Sequence, residues 1–443
     1  MPRLVLVLPS ATYRAAELLA AAGRLGAEVV VASERVQAFA SRRPESFLQV
    51  DLSDPPAAAA RIVQLASQLS AGVDGVVALD DQAISAAALA AEQLGLRHSA
   101  PAAVAVTRDK VAMRRLLAAR GVPQPRFAVV AGDEPRRAAG TAAAIGFPVV
   151  VKPPSLSGSR GVIRADDEAA AAAAARRARA ILDAAGEPAS TELLIEEFVP
   201  GVELSLEGLL RAGRLEVLAV FDKPDPLDGP FFEETIYLTP SRLPASVQER
   251  AAEVVASACA AIGLDEGPVH AEARVHSGTG EVVLVEVAAR TIGGRCAKAL
   301  RFATGATLDD LVVAHALGLD AAALPAREQT AAGVLMVPIP RSGRLVAVDG
   351  VERVRAMSGV TGVELTIPIG AELLALPEGD RYLGFVFARA ARPGDVEAVL
   401  RAAQGALVVR VDPAGIEPAG GASGSGASGS GAARVAVRAG GCC

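Results

Sequence analysis

Between Val269 and Arg295 polar and apolar positions alternate at a period of two. His270, Glu272 and Arg274 fall on one face of a first run, with small apolar residues on the other. HSGTGE supplies turn chemistry, and EVVLVEVAAR gives a second run ending in Glu286 and Arg290. The pattern predicts a β-hairpin followed by a glycine turn at Gly293–Gly294. For Glu272 and Glu286 to share a site, paired residues must have numbers with an even sum; pairing Ala271 with Glu286 would put the carboxylates on opposite faces. Two glutamates beside an arginine suit a hard cation carrying phosphates. A solvated edge hairpin explains the same charges.

Before this hairpin, residues 1–100 alternate short apolar runs (RLVLVLP, AEVVVAS, VDGVVALD) with alanine-rich helical stretches. That alternation predicts a parallel sheet covered on both faces. Ligands of such sheets sit beyond the strand ends, which places Pro9–Tyr13 and Asp80–Asp81 at a pocket mouth. A helix from about Asp81 to Gly95, capped by these acids, explains them equally well. TRDKVAMRRLLAAR predicts a helix with Thr107 as N-cap and Gly121 as its stop. Further on, IGFPVVVKPPSLSGSRGV delivers Lys152 at a strand end and then a Ser/Gly loop over residues 155–161. Exposed backbone N–H groups beside a lysine suit phosphate, although the loop matches neither GxxxxGK[ST] nor GxGxxG, and an ordinary turn accounts for it too.

Residues 168–185 read as a helix, and TELLIEEFVPGVELSLEGLL as two strands joined by PG, with Glu196 and Glu203 on either side. FDKPDPLDGPFFEETIYLTP is an irregular excursion carrying Lys223, Glu233 and Glu234, and long irregular segments inside a domain tend to be functional. Helices follow at about 246–262 and at LDDLVVAHALG. Residues 333–411 alternate again and read as a small α+β cap. The Gly/Ser/Ala-rich stretch 413–443 reads as disordered. Its GxGxxG match at Gly424, Gly426 and Gly429 has no strand before it or helix after it and carries no weight.

Composition narrows the classes. A chain of 443 residues holds about three domains. Its net charge of −6 leaves no basic footprint for nucleic acid. Four cysteines without metal-ligand spacing, and four histidines without an HExxH pattern, exclude a zinc site of the usual kinds and a disulfide scaffold. No run reaches membrane-spanning length, and MPRLVLVLPS is too short and proline-broken for a signal sequence, so the expected location is the cytoplasm.

In order, TRDK (107–110), VVKP (150–153), SGSRG (157–161), IEEFVPGVE (195–203), HAE (270–272) and EVAAR (286–290) resemble the ATP-grasp superfamily of carboxylate–amine ligases over about residues 1–320. The excursion and RTIGGRC look like the subgroup of bacterial L-amino-acid ligases, as do residues 333–411. The resemblance implies a multidomain α/β and α+β chain. Its parts are a Rossmann-like pre-ATP-grasp domain at 1–100, an ATP-grasp domain at 101–320 with a lid at about 150–200, and a C-terminal domain at 321–412. It also implies ATP and Mg²⁺ (or Mn²⁺) as cofactors. Lys110 and Lys152 would contact the phosphates, with Ser157, Gly158 and Ser159 closing over them; Glu196 and Val199 would hold adenine, and Glu203 the ribose. Glu272 and Glu286 would carry the metal, Arg290 would act with Lys152 in catalysis, and Gly293, Gly294, His270 and Lys223 would face substrate. His270 would orient substrate or relay a proton, or serve as a half-buried structural histidine. A homodimer is the family's usual state.

The resemblance implies amide formation, dipeptides included, between a carboxylate and an amine, both small molecules and amino acids by expectation, with an acyl phosphate between them. One departure stands out: the family pattern Glu-x-Asn-x-Arg has Ala288 at the asparagine position, which removes one oxygen from the metal shell. Three other readings stay open: a ligase or carboxylase of nucleotide biosynthesis, an ATP-binding homologue without catalysis, and modification of a peptide or carrier substrate.

Overall fold

The structure is a computed structural model that describes residues 1–10, 12–35, 46–132, 134–303, 305–319 and 324–413, with the backbone of 433–434. Its first unit follows from the continuous apolar runs. Strands β1 (Arg3–Val7), β2 (Glu28–Ser33), β3 (Phe47–Gln49) and β4 (Gly75–Val77) pair in parallel in the order β3-β2-β1-β4. Helix α1 (Ala15–Arg24) packs Leu18 and Ala21 on one face; α2 (Pro55–Gln68) and α3 (Ile84–Leu94) pack Ile62, Ala87 and Ala90 on the other. Helix α3 starts at Ile84 and has no side-chain cap. Asp80 and Asp81 are therefore not its caps: the Asp80 carboxylate accepts from the Thr12 hydroxyl and that of Asp81 pairs with Arg290.

Two helices then bridge to the next unit, α4 (Pro101–Val106) and α5 (Lys110–Ala119). The expected N-cap at Thr107 is displaced. Asp109 caps α5 by accepting from the N–H groups of Val111 and Ala112, while the Thr107 hydroxyl donates back to the Val104 carbonyl at 2.7 Å.

The second unit is an antiparallel sheet of β5 (Phe127–Val130), β6 (Val149–Lys152), β7 (Ile163–Ala165) and β8 (Leu193–Glu197), ordered β5-β8-β6-β7. Helices α6 (Ala138–Ile145) and α7 (Glu168–Ala184) cover it with alanines such as Ala142, Ala174 and Ala178. Alanine is the best helix former and its short side chain lets helix and sheet approach closely. Asp167 caps α7.

From β8 the chain passes through Pro200 into β9 (Gly201–Arg211), which belongs to a different sheet. Gly201 has φ +132°, and a Cβ there would lie 2.0 Å from the Val275 carbonyl oxygen, so only glycine fits this joint. Beyond it come β10 (Arg214–Lys223), β11 (Ile236–Thr239), α8 (Ala245–Ile262), β12 (Gly267–His276), β13 (Val282–Ala288), α9 (Leu308–Ala316) and β14 (Ala331–Val337). The remainder comprises β15 (Gly343–Asp349), α10 (Val351–Arg355), β16 (Val360–Leu365), β17 (Glu372–Leu373), β18 (Gly384–Ala390), α11 (Pro393–Ala406), β19 (Val408–Asp412) and β20 (Ala433–Arg434).

Here the structure departs from the sequence expectation of a separate cap. Strands β14, β18 and β16 continue the central sheet, which runs β13-β12-β9-β10-β11-β14-β18-β16 with eight strands; only β17-β15-β19-β20 form a small sheet of their own. The expected disordered tail lies outside the described residues apart from its first residue, Pro413, and Ala433–Arg434, which pair with β19 instead. Cys442, Cys443 and the tail glycines also lie outside them. Among the described residues no helix is long and apolar enough to cross a membrane.

Candidate nucleotide and substrate site

Antiparallel register stacks the polar residues of four strands into rows on one face of the central sheet. One row runs Lys223, Glu203, Arg274; the next Phe221, Ser205, Glu272, Glu286; the third Ala219, Glu207, His270, Ala288. Directly paired residues share a face, so Glu272 and Glu286 stand opposite each other. The even-sum pairing expected from the sequence is the one observed. Immediately after it, a bulge leaves Val285 without a partner in β12. The freed Val285 carbonyl accepts from Arg114 at 2.6 Å.

Above this face the second unit and α5 wall a cavity that is open on one side to solvent. Its walls include Lys110, Lys152, Ser157, Gly158, Ser159, Glu196, Val199, Glu203, Glu272 and Glu286, each of them singled out from the sequence. Lys110 reaches the Leu156 carbonyl at 2.8 Å and Glu286 at 3.4 Å. Lys152 donates to Glu196 at 2.6 Å, and Arg114 holds the other oxygen of Glu196 at 2.5 Å. Burial alone would raise the Glu196 carboxyl, but Arg114 and Lys152 pull it down to about 2. Its carboxylate is thus committed to two cations, and Val199 lines the cavity beside it.

The loop at 155–161 has the conformation its glycines suggest. Gly158, Ser159 and Gly161 take φ of +64°, +56° and +74°. A Cβ at Gly161 would meet the Pro153 ring at 2.5 Å. The loop is tied to distant segments: the Gly161 N–H donates to the Pro377 carbonyl at 2.8 Å, Arg160 to the Glu378 carbonyl at 3.0 Å, and Arg177 of α7 pairs with the Glu378 carboxylate at 2.7 Å. On its other side, Arg164 donates from its backbone to the Pro230 carbonyl of the excursion at 2.9 Å.

Lys223 sits at the centre of an acidic group. Its ammonium donates to Glu203 at 2.7 Å, Glu234 at 2.5 Å and Glu272 at 2.9 Å. Oxygens of these three glutamates lie within 4.8 Å of one another. Burial would lower the lysine, yet the three carboxylates push it well above its usual value. Burial would raise Glu272, but Lys223 and His270 hold it well below the usual carboxylate range. His270, 6 % exposed, lies between Glu207 at 2.5 Å and Glu272 at 3.4 Å. Burial disfavours its charge, and these carboxylates reverse that and lift it to about 9. A histidine held charged can donate from both ring nitrogens, here toward Glu207 and Glu272.

Arg290 and Gly293–Gly294 lie on the loop after β13. The Gly294 N–H donates to the Tyr13 hydroxyl at 3.0 Å, and Glu207 accepts from the Ile292 N–H at 2.9 Å. Gly294 has φ +56°, and a Cβ there would fall 2.3 Å from the Met336 sulfur, whereas a Cβ at Gly293 would meet nothing within 4 Å. Gly294→Ala is therefore expected to cost about 1–3 kcal/mol of stability, with Gly293→Ala near neutral; urea unfolding midpoints of the two variants check this.

Glu207, Arg114 and Arg274 were not picked out from the sequence as site residues. For Glu207 a signal existed, since Glu203, Ser205 and Glu207 repeat at the strand period. Arg274, buried, donates to the Leu227 and Gly201 carbonyls at 2.7 Å each and so braces the joint beside the cavity.

Comparison with known proteins agrees with this architecture. Sequence profiles match for the ATP-grasp N-terminal domain over residues 19–98, the ATP-grasp domain over 145–299 and the L-amino acid ligase C-terminal domain 2 over 335–412. An alanine–anticapsin ligase of Bacillus subtilis is 28% identical over 249 residues, 53% of this chain and 51% of that protein. A D-alanine–D-alanine ligase of Methylibium petroleiphilum is 31% identical over 169 residues, 36% of this chain and 50% of that protein. The chain thus spans about half the length of these two curated relatives. The crystal structure of an L-amino acid ligase from Bacillus licheniformis superposes with a TM-score of 0.75 at 25% identity, covering 93% of this chain and 99% of that one. The chain belongs to the ATP-grasp superfamily and carries the C-terminal domain of its L-amino-acid ligases.

Proposed function

We propose that the chain is an ATP- and magnesium-dependent ligase that forms an amide between two amino acids through an acyl phosphate, releasing ADP and phosphate. The observation that supports this most is the convergence of Lys110, Lys152, the 155–161 loop and the facing Glu272 and Glu286 on one cavity. Such a set suits triphosphate: two point charges, backbone donors in left-handed turns, and hard oxygen ligands. We assign Lys110 and Lys152 to the phosphates, Ser157, Gly158 and Ser159 to the cover over them, Val199 to adenine and Glu203 to the ribose. Glu196 then serves by holding Lys152 in place. Glu272 and Glu286 are all-oxygen ligands suited to Mg²⁺ or Mn²⁺; bound there, the ion would offset the charge on the β- and γ-phosphates. We also take the division at residues 100, 320 and 412 as the working domain boundaries.

A carboxylate is a poor electrophile toward an amine. In the first step its oxygen attacks the γ-phosphorus and the bond to the ADP oxygen breaks. The lysines and loop N–H groups meet the charge that spreads over the transferring group. In the second step the amine nitrogen, as the free base, attacks the acyl carbon, the bond to phosphate breaks, and the amine's proton is lost to the departing phosphate or to water. Arg290 steadies the oxyanion between these events. The loop excludes water, to which an acyl phosphate would be lost.

The test is phosphate release from ATP and Mg²⁺ with pools of amino acids, with hydroxylamine as a trap. Phosphate together with a hydroxamate in one pool is the expected result and identifies the carboxylate. ATP binding without turnover in every pool would overturn the proposal in favour of a homologue without catalysis or one acting on a nucleotide-pathway substrate.

A further inference from the structure

We infer that Asp81 is the positioning residue for Arg290, acting within a charged cluster completed by Arg108; this rests on the function proposed above. Asp81 follows β4 of the first unit, and its carboxylate grips one edge of the Arg290 guanidinium: Nε donates to Oδ1 at 2.8 Å and Nη2 to Oδ2 at 3.0 Å. Nη1 donates to the Thr291 carbonyl at 3.1 Å. A guanidinium has five N–H groups in a rigid plane, and these bonds use three. The other two, one on each terminal nitrogen, remain for oxygens of a phosphoryl or carboxyl group. With one edge clamped in both directions, these remaining donors have a fixed aim.

A carboxylate so close would ordinarily cancel the charge that Arg290 brings to the reacting group. Arg108 prevents this. Its Nη1 lies 3.0 Å from the same Asp81 oxygen, so Asp81 is shared between two cations and its charge is not spent on Arg290 alone. Arg108 also reaches the Ser155 carbonyl of the covering loop at 3.4 Å. The adjacent Asp80 does not duplicate Asp81: its carboxylate accepts from Thr12 at 2.9 Å. The cluster is largely shielded from solvent, with Asp81 13% and Arg290 15% exposed, so its charges act through a medium of low dielectric.

The experiment measures hydroxamate formation by the full chain, with the amino acid that gives phosphate release in the wild type. That wild-type signal establishes the ligase reading, and the variants then bear on Asp81 alone. Asp81→Asn is expected to lower kcat by about 10²-fold while KM for ATP stays within about twofold, because aim is lost and nucleotide binding is not. Arg108→Gln leaves the Asp81–Arg290 grip in place and is expected to lower kcat by about tenfold, again at constant KM. Wild-type kcat in both variants would overturn the inference. So would a rise confined to the amino acid KM, which would make Asp81 a substrate ligand.

Discussion

Lys152→Ala should leave a folded protein that turns over ATP on the order of 10³-fold more slowly than the wild type, by phosphate release at saturating amino acid. The reason lies in what Lys152 does and does not support. Its ammonium faces the cavity at the end of β6, where it can meet a phosphate, and it also neutralises one side of the buried Glu196. Arg114 stays on the other side of that carboxylate after the substitution, so no buried charge is stranded. Stability should therefore change little while turnover collapses. A melting temperature within a few degrees of the wild type, measured on the same preparation, separates loss of chemistry from loss of fold. Full activity in Lys152→Ala would sink the assignment of this cavity to ATP.

Lys223→Met should behave in the opposite way and damage the fold first. Removing this ammonium leaves Glu203, Glu234 and Glu272 converging without their shared cation. Breaking a buried pair by removing one partner costs about 3–5 kcal/mol. The pH dependence has a definite sign. In the wild type Lys223 is raised, so its contribution is present below the ordinary lysine range and fades only as pH climbs through the elevated value. In the variant Glu234, which burial already raises, would lose its lysine and titrate further above its unfolded value, so stability is retained at low pH and lost as pH rises through it. The deficit against wild type should be larger at pH 8 than at pH 5, by urea unfolding in chelator. Added Mg²⁺ should recover more stability in the variant than in the wild type, since an ion could replace the missing positive charge among the three carboxylates. An equal deficit at both pH values would argue that packing, not charge, holds this cluster.

What could be read in the sequence was whatever repeats locally. The even pairing of Glu272 with Glu286 follows from strand period, and the parallel sheet of the first unit from uninterrupted apolar runs. The cavity-lining lysines, serines and glutamates each sit in a short segment with its own chemistry. Pairings between remote positions stayed hidden. Glu207 meets His270 across 63 positions, Arg114 meets Glu196 across 82 and Asp81 meets Arg290 across 209. No local pattern announces such pairs, because only the assembled sheets bring them together. The cap at Asp109 shows a different limit: Thr107 and Asp109 are both good caps, and the break between α4 and α5 decides between them. The continuation of the central sheet into β14, β18 and β16 was invisible for the first reason, since pairing order is not written in any one strand.

The bonds from the 155–161 loop to Pro377 and Glu378 tie two kinds of adaptation together. The loop proposed to cover the nucleotide is braced by a segment more than 200 positions away, on the part of the chain that matches the L-amino acid ligase C-terminal domain. On the function proposed above, a substitution at Pro377 or Glu378, in the domain shared with L-amino-acid ligases, would also be felt at the cover over the phosphates. Divergence of that domain and retention of the nucleotide would then constrain each other.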